Sequence, residues 1–410
     1  MSHLSARLRR GIAGAVSAGT LMAPLAPGPA WAVPASAPAT PAVGSPSPTP
    51  TNLAVRNLTP DVARQLDAAV QKAMRGANVP GATVGVWTPG QPSYVRSFGV
   101  ADKRTAQKMT PNLYMRIGSE TKPFTVTALL QLVDDKKVRL DDPIGKYIAG
   151  VPNGNKITLR QLADMRSGLF NYDEDPAFGK AASNPQRHFT PQQLLAYSFK
   201  HPVLFPPGQK FSYSNTNTVL LGLLVEKETG QSLSNYIKEH ILAPAGLTQT
   251  VLPTNSAFPT PHAQGYTKNT IDGKEANATD WNPSWAWAAG AMISTLKDMH
   301  TWAPMVATGR LPDGKPMVDA ATQKQRLNMS RIVDDVGYGL GVFDVQGWIG
   351  HNGSLPGYQS LTLYLPSTKT TLVVLLNTDV KPKGQLPSTL LGEAITKIIS
   401  PGHVYSLPKG

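Results

Sequence analysis

The sequence predicts an α+β fold, an antiparallel sheet flanked by helices with an all-helical lobe inserted into it. Three observations carry this. A helix-patterned segment precedes two strand-like runs near the start of the folded region. A long, mostly helical middle follows them. After about residue 286 strand-like runs return at hairpin-like spacing, and a final helical pattern closes the chain. With 410 residues, 41% hydrophobic and 16% charged, the chain is long enough and apolar enough for a large globular core.

The first helix is expected in "NLTPDVARQLDAAVQKAMRG", with Thr59 as N-cap and Pro60 at the first helical position. The runs "GATVGVWT" and "SYVRSFGV" read as strands around a Pro-Gly turn. Strand-like "LYMRIG" then leads into "SETKPFT" and the apolar run "VTALLQLV". The middle carries "TLRQLADM", "TPQQLLAYSF", "TNTVLLGLLVEKETG" with Gly230 as C-cap, and "SLSNYIKEHIL". The strands that follow are "AGAMIST", "VGYGLGVFDV", "GWIGHNG", "QSLTLYLP" and "TTLVVLLN". The helix in "PSTLLGEAITKIIS" ends the domain. A catalytic cleft is expected between the helical and sheet regions.

Residues 1–32 have the order of a secretory signal. Arg7, Arg9 and Arg10 precede the weakly apolar "IAGAVSAGTLMAPLA", and Ala30-Trp31-Ala32 offers a cleavage site. Export through either the general or the twin-arginine route stays open. Residues 33–53 are rich in Pro, Ala, Ser and Thr and read as an extended linker, leaving 54–402 as the folded domain of a secreted protein. The formal charge of +13 falls to +10 without the signal. The basic residues are scattered, which argues against nucleic acid and suits encounter with anionic wall polymers or headgroups. The chain has no cysteine, so thiolate catalysis and disulfides are excluded. The eight histidines are dispersed with no ligand spacing, and neither a metal nor a cofactor is expected.

Three short stretches carry chemistry. In "GSETK", Ser119 and Lys122 are three residues apart, one helical turn, on one face. A Ser N-cap beside a solvated Lys would look the same. A helix start also points backbone N–H groups at a developing oxyanion, and burial would favour a free-amine Lys122 as base. In "FSYSNTN", Tyr213 and Asn215 are expected on a loop before a helix starting near Asn217, offering a proton shuttle and an amide for the substrate. In "GHNGSLPG", His351 offers a polar or cationic group, and Gly353 would allow close approach of a substrate backbone. The Ser354 N–H could complete an oxyanion hole with that of Ser119.

Ser119-x-x-Lys122, Tyr213-x-Asn215 and His351-x-Gly353, in that order, resemble the three motifs of the penicillin-recognising serine hydrolases. The likeness covers roughly residues 56–400 and looks most like the secreted serine D-alanyl-D-alanine carboxypeptidases, relatives of class C β-lactamases. The resemblance implies a β-lactamase/transpeptidase-like fold. It implies Ser119 as the acylated nucleophile, Lys122 as base and Tyr213 as shuttle. Asn215 would hold the substrate amide, His351 would order shuttle and substrate, and Trp285 would wall the pocket. Peptidoglycan stem peptides would be substrates and β-lactams inhibitors. One departure matters: Phe343 in "YGLGVF" stands where the related carboxypeptidases place an Arg for the substrate's terminal carboxylate, and no Lys or Arg lies between Arg331 and Lys369. Losing such a charge-assisted contact costs about 1.5–3 kcal/mol of binding. That absence leaves an esterase, a lactamase or a D-amino-acid amidase as the alternative activity.

Overall fold

The computed structural model describes residues 55–407; the signal and the linker expected from the sequence lie outside the described residues. Helix α1 (Pro60–Ala77) starts as expected, with Thr59 accepting from the Val62 N–H and Pro60 first in the helix. It leads into β1 (Gly81–Trp87), β2 (Tyr94–Asp102) and β3 (Gln107–Lys108). The short β4 (Met115–Arg116) runs into a 3₁₀ turn, Gly118–Glu120, that continues directly as α2 (Thr121–Asp134).

The helical region holds α3 (Leu159–Ala163), α4 (Pro176–Ala182), α5 (Pro191–Phe199), α6 (Asn215–Thr229), α7 (Leu233–Ile237) and α8 (Ala243–Ala245). Capping boxes at Thr158 and Thr190 start α3 and α5. Gly230, at φ 69°, ends α6 in the left-handed conformation that glycine adopts without a Cβ penalty. A small ribbon of β5 (Tyr266–Thr267) and β6 (Ala276–Asn277) precedes α9 (Trp287–Gly290), β7 (Ile293–Ser294), α10 (Leu296–Thr308) and α11 (Ala320–Arg326). The chain then forms β8 (Ser330–Val333), β9 (Val336–Tyr338), β10 (Phe343–Val345), β11 (Trp348–Leu355), β12 (Tyr358–Leu365) and β13 (Thr370–Leu376), and ends in α12 (Pro387–Ile399).

Nine of these strands make one antiparallel sheet in the order β3-β2-β1-β13-β12-β11-β10-β9-β8. The first and last of the described strands therefore pair inside the sheet, β1 against β13. Side-chain alternation divides the core. Leu372, Val374 and Leu376 of β13 join the layer under α1 and α12, while Val373 and Leu375 join the larger layer shared with α2, α6 and α10. Burial on both faces explains why β13 reads as an unbroken apolar run.

Two expectations need correction. "AGAMIST" is a strand only at Ile293–Ser294, because Trp287–Gly290 coils into a short helix whose carbonyls serve the site. "VGYGLGVFDV" is not one strand but two, β9 and β10, joined by a turn with Gly341 at φ 74°.

Candidate active site

The site lies where the start of α2, the start of α6 and strand β11 meet. Ser119 sits in the 3₁₀ turn at the head of α2, and Lys122 follows one turn later, fully buried. Lys122 Nζ lies 3.1 Å from Ser119 Oγ, 2.6 Å from Asn215 Oδ1 and 2.7 Å from the Ala289 carbonyl oxygen. The two carbonyl oxygens can only accept, so each takes one N–H. A neutral amine has two hydrogens and one lone pair, and the lone pair then faces the Ser119 hydroxyl. Burial supports that state by pushing Lys122 down to about 7, against the pull of Asp173. Lys122 is thus a buried amine within hydrogen-bond distance of the Ser119 hydroxyl, not a solvated side chain beside a helix cap.

Tyr213 covers this pair, with Lys122 Nζ 4.8 Å from its ring centroid. Its hydroxyl is buried without a well-aligned hydrogen bond. Burial raises its pKa, and the nearby Ser119 opposes that rise. A neutral phenol in this place is a proton donor in waiting. Asn215 is not on a loop as the sequence suggested; it is the first residue of α6. It is also more fully engaged than expected. Its Oδ1 accepts from Lys122, while its Nδ2 donates to Asp173 Oδ2 at 2.8 Å. One amide hydrogen remains for a substrate.

His351 is buried on β11 and is neutral. Its Nδ1 is 2.6 Å from the Asn352 carbonyl, which can only accept, so the proton sits on Nδ1 and Nε2 accepts from the Tyr338 hydroxyl at 3.2 Å. Burial, followed by the charge of Lys122, pushes its pKa down to about 3. Of the two roles left open by the sequence, polar or cationic, the structure gives the polar one. Phe343 packs on this histidine and on Tyr338, with ring centroids 4.9 and 4.6 Å apart. The place of the missing cation is thus filled by an aromatic cluster. Arg331 does not compensate, since its side chain is 70% exposed and faces Asp334. Lys369 is exposed in the β12–β13 turn, at the opposite end of β12 from Ser360, the partner of Gly353.

Gly353 serves a different need from the one expected. A Cβ there would lie 1.9 Å from the Ile117 carbonyl oxygen, so it is the protein's own backbone that approaches closely. Ser360 Oγ donates to the same oxygen at 2.7 Å. Gly118, at φ 54°, is equally close: a Cβ on it would sit 2.5 Å from the Ser354 nitrogen. These two glycines seat the Ser119 turn directly on β11, with the Ser354 nitrogen against Gly118. Gly353→Ala is expected to cost about 1–3 kcal/mol of stability, together with most of the acylation rate. Chemical denaturation and penicillin labelling check the two losses separately.

Trp285 lies beside the helical region. Its carbonyl accepts from Tyr172 Oη at 2.6 Å, and its ring packs toward Phe178 at 6.2 Å. The bond ties the segment carrying Tyr172 and Asp173 to the 283–285 turn. Asp173 and Tyr338 were missed in the sequence. Asp173 belongs to the acidic run "DED" after Tyr172, an available signal, but its approach to Asn215 depends on tertiary stitching. The Asn215 N–H donates to Asn171 Oδ1 at 2.9 Å, and the Tyr172 N–H to Thr216 Oγ1 at 3.2 Å.

This arrangement defines a serine hydrolase of the β-lactamase/transpeptidase fold. The chain belongs to the Beta-lactamase family, whose profile matches residues 66–394. Among solved structures it is similar to a D-stereospecific amidohydrolase from Streptomyces sp., 33% identical, with 76% of this chain and 94% of that one covered at a TM-score of 0.68. It is also similar to a D-amino acid amidase from Ochrobactrum anthropi SV3, 27% identical, with coverage of 82% and 97% and a TM-score of 0.72. Protein flp of Staphylococcus aureus (strain MW2) is 26% identical over 80% of this chain, and the match spans 66% of that protein's length. The Putative penicillin-binding protein PbpX of Bacillus subtilis (strain 168) is 27% identical over 69% of this chain and 66% of its own.

Proposed function

We propose that this protein is an amidohydrolase that forms an acyl-enzyme on Ser119 and releases D-configured aminoacyl groups from amides or short peptides. Lys122 takes the Ser119 proton as Oγ attacks the carbonyl. The Ser119 and Ser354 N–H groups receive the oxyanion, and Tyr213 passes a proton to the leaving amine. Water then repeats the sequence to free the acid. Two activities follow from the family resemblance, a D-alanyl-D-alanine carboxypeptidase and a D-amino-acid amidase. The observation that favours the second is the charge available to a substrate. The carboxypeptidase needs a cation for a terminal carboxylate, and Phe343 fills that place. The carboxyl group of Asp173, bonded through Oδ2 to Asn215 and with a buried Oδ1 that lacks a hydrogen-bond partner, lies next to Asn215 instead and suits a substrate ammonium. The names of the amidohydrolase and amidase relatives support the same reading and its D-stereochemistry. The signal-like residues 1–32 add export as part of it, which brings wall-derived peptides and β-lactams within reach.

The test is a comparison of D-alanine amide and L-alanine amide with an N-acyl peptide ending in D-Ala-D-Ala. Hydrolysis of the D-amide with little of the L-amide supports the reading; cleavage of the peptide alone restores the carboxypeptidase. A second test addresses Phe343. An amide-capped peptide is expected to keep kcat/KM within about tenfold of the free acid, a gap of ~1.4 kcal/mol. Phe343→Arg is expected to shift preference toward the free acid. A hundredfold preference for the free acid in the unmodified enzyme would show that another cation reaches the pocket.

A further inference from the structure

Lys122, Asn215 and Asp173 form a continuous hydrogen-bonded chain. Lys122 donates to Asn215 Oδ1 at 2.6 Å, and Asn215 Nδ2 donates to Asp173 Oδ2 at 2.8 Å. An amide carries polarisation from one end to the other, so an ionised carboxylate on Nδ2 strengthens Oδ1 as an acceptor. That favours the ammonium form of Lys122, which has no lone pair for Ser119. Burial is the larger influence and pushes Lys122 the other way, so an ionised Asp173 weakens, without abolishing, the base-ready state of the empty enzyme. The remaining ionisable groups facing Lys122 and Asp173 are Tyr172, Tyr213 and His351, each held neutral by burial, and Glu174 on the solvent side.

We propose that Asp173 is a positioning residue that couples substrate recognition to base strength: a substrate's ammonium group on Asp173 cancels its charge and frees Lys122 to deprotonate Ser119. This rests on the ammonium-binding reading above and adds to it. Recognition alone would lower KM; coupling also raises kcat, because the interaction changes the base. Each titrating group responds to the other. Burial pushes the Asp173 carboxyl up, as does the charge of Glu174, while Lys122 pulls it down; burial pushes Lys122 down while Asp173 pulls it up. A bound cation removes the second pull.

The experiment follows kcat against pH for D-alanine amide and N-acetyl-D-alanine amide between about pH 5 and 7.5, which reaches the range near 7 where Lys122 and Asp173 both titrate and keeps most of a free α-amine protonated. In the unmodified enzyme the acid limb of kcat is expected at least one pH unit lower with the free-amine substrate. That is a tenfold gain in active base on the rising limb. In Asp173→Asn both substrates are expected to share the lower limb, while KM for the free-amine substrate rises at least tenfold. Coincident limbs for the two substrates in the unmodified enzyme, unmoved by Asp173→Asn, overturn the coupling. The ammonium reading fails on a separate signal, an unchanged KM for D-alanine amide in Asp173→Asn. The two-substrate comparison in the unmodified protein needs no variant to fold.

Discussion

Ser119→Ala is expected to abolish the covalent adduct that a penicillin forms with the purified protein and to lower turnover at least about ten-thousandfold. The reason is chemical rather than steric. Ser119 supplies the hydroxyl facing the lone pair of Lys122, and its turn rests on β11 through Gly118 and Gly353. Alanine keeps the backbone, the oxyanion donors and the buried base, so binding survives while acyl transfer stops. Intact mass after incubation with a penicillin reads the result directly. An adduct of equal yield in the variant, or one mapped to another residue, would remove Ser119 as nucleophile.

Lys122→Ala and Tyr213→Phe are each expected to slow acylation by at least about 100-fold, the scale of a lost general acid–base group. Their effects are expected to be far from additive. Lys122 Nζ is 3.1 Å from Ser119 Oγ and 4.8 Å from the Tyr213 ring centroid, and the proposed mechanism passes the serine proton to the leaving group through this pair. Once one member is gone, the other has little left to do. Tyr213→Phe keeps the ring over Lys122 and removes only the hydroxyl, so its loss is not a packing effect. A double variant whose barrier rises by the sum of the single effects would assign the residues independent roles.

Much of this was readable in the chain because it is local. Thr59-Pro60 and Gly230 mark helix ends through capping chemistry that needs no tertiary context, and the apolar, β-branched and aromatic runs of β11 to β13 mark strands by their local composition. The motif residues could be found because their order and spacing are themselves a pattern. What was hidden depends on folding. Asn215 was placed on a loop because it follows the turn "PGQK" and precedes a helix expected near Asn217, yet the Asn215 N–H donating to Asn171 Oδ1 and the Tyr172 N–H donating to Thr216 Oγ1 hold the helix start there. Asp173 was missed because nothing local in "DED" announces its contact with Asn215, 42 residues away. The need for Gly353 came from Ile117, a residue distant in sequence, and a lone glycine does not say which backbone it admits.

The bonds that assemble the site span long stretches of chain. Lys122 reaches Asn215 across 93 residues and Ala289 across 167, and Ser360 reaches Ile117 across 243. Each closes a loop whose entropy must be lost before the contact returns anything. Helices of the inserted region can form from neighbouring residues, but they bring only fragments of the site with them. During refolding, catalytic competence is expected to arrive late, with the pairing of β1 and β13 and the seating of the Ser119 turn on β11, and stopped-flow refolding followed by penicillin labelling would time it. A polypeptide still searching for its topology holds a serine and a lysine one turn apart and no enzyme, which spares it premature acylation by whatever it meets before it is complete.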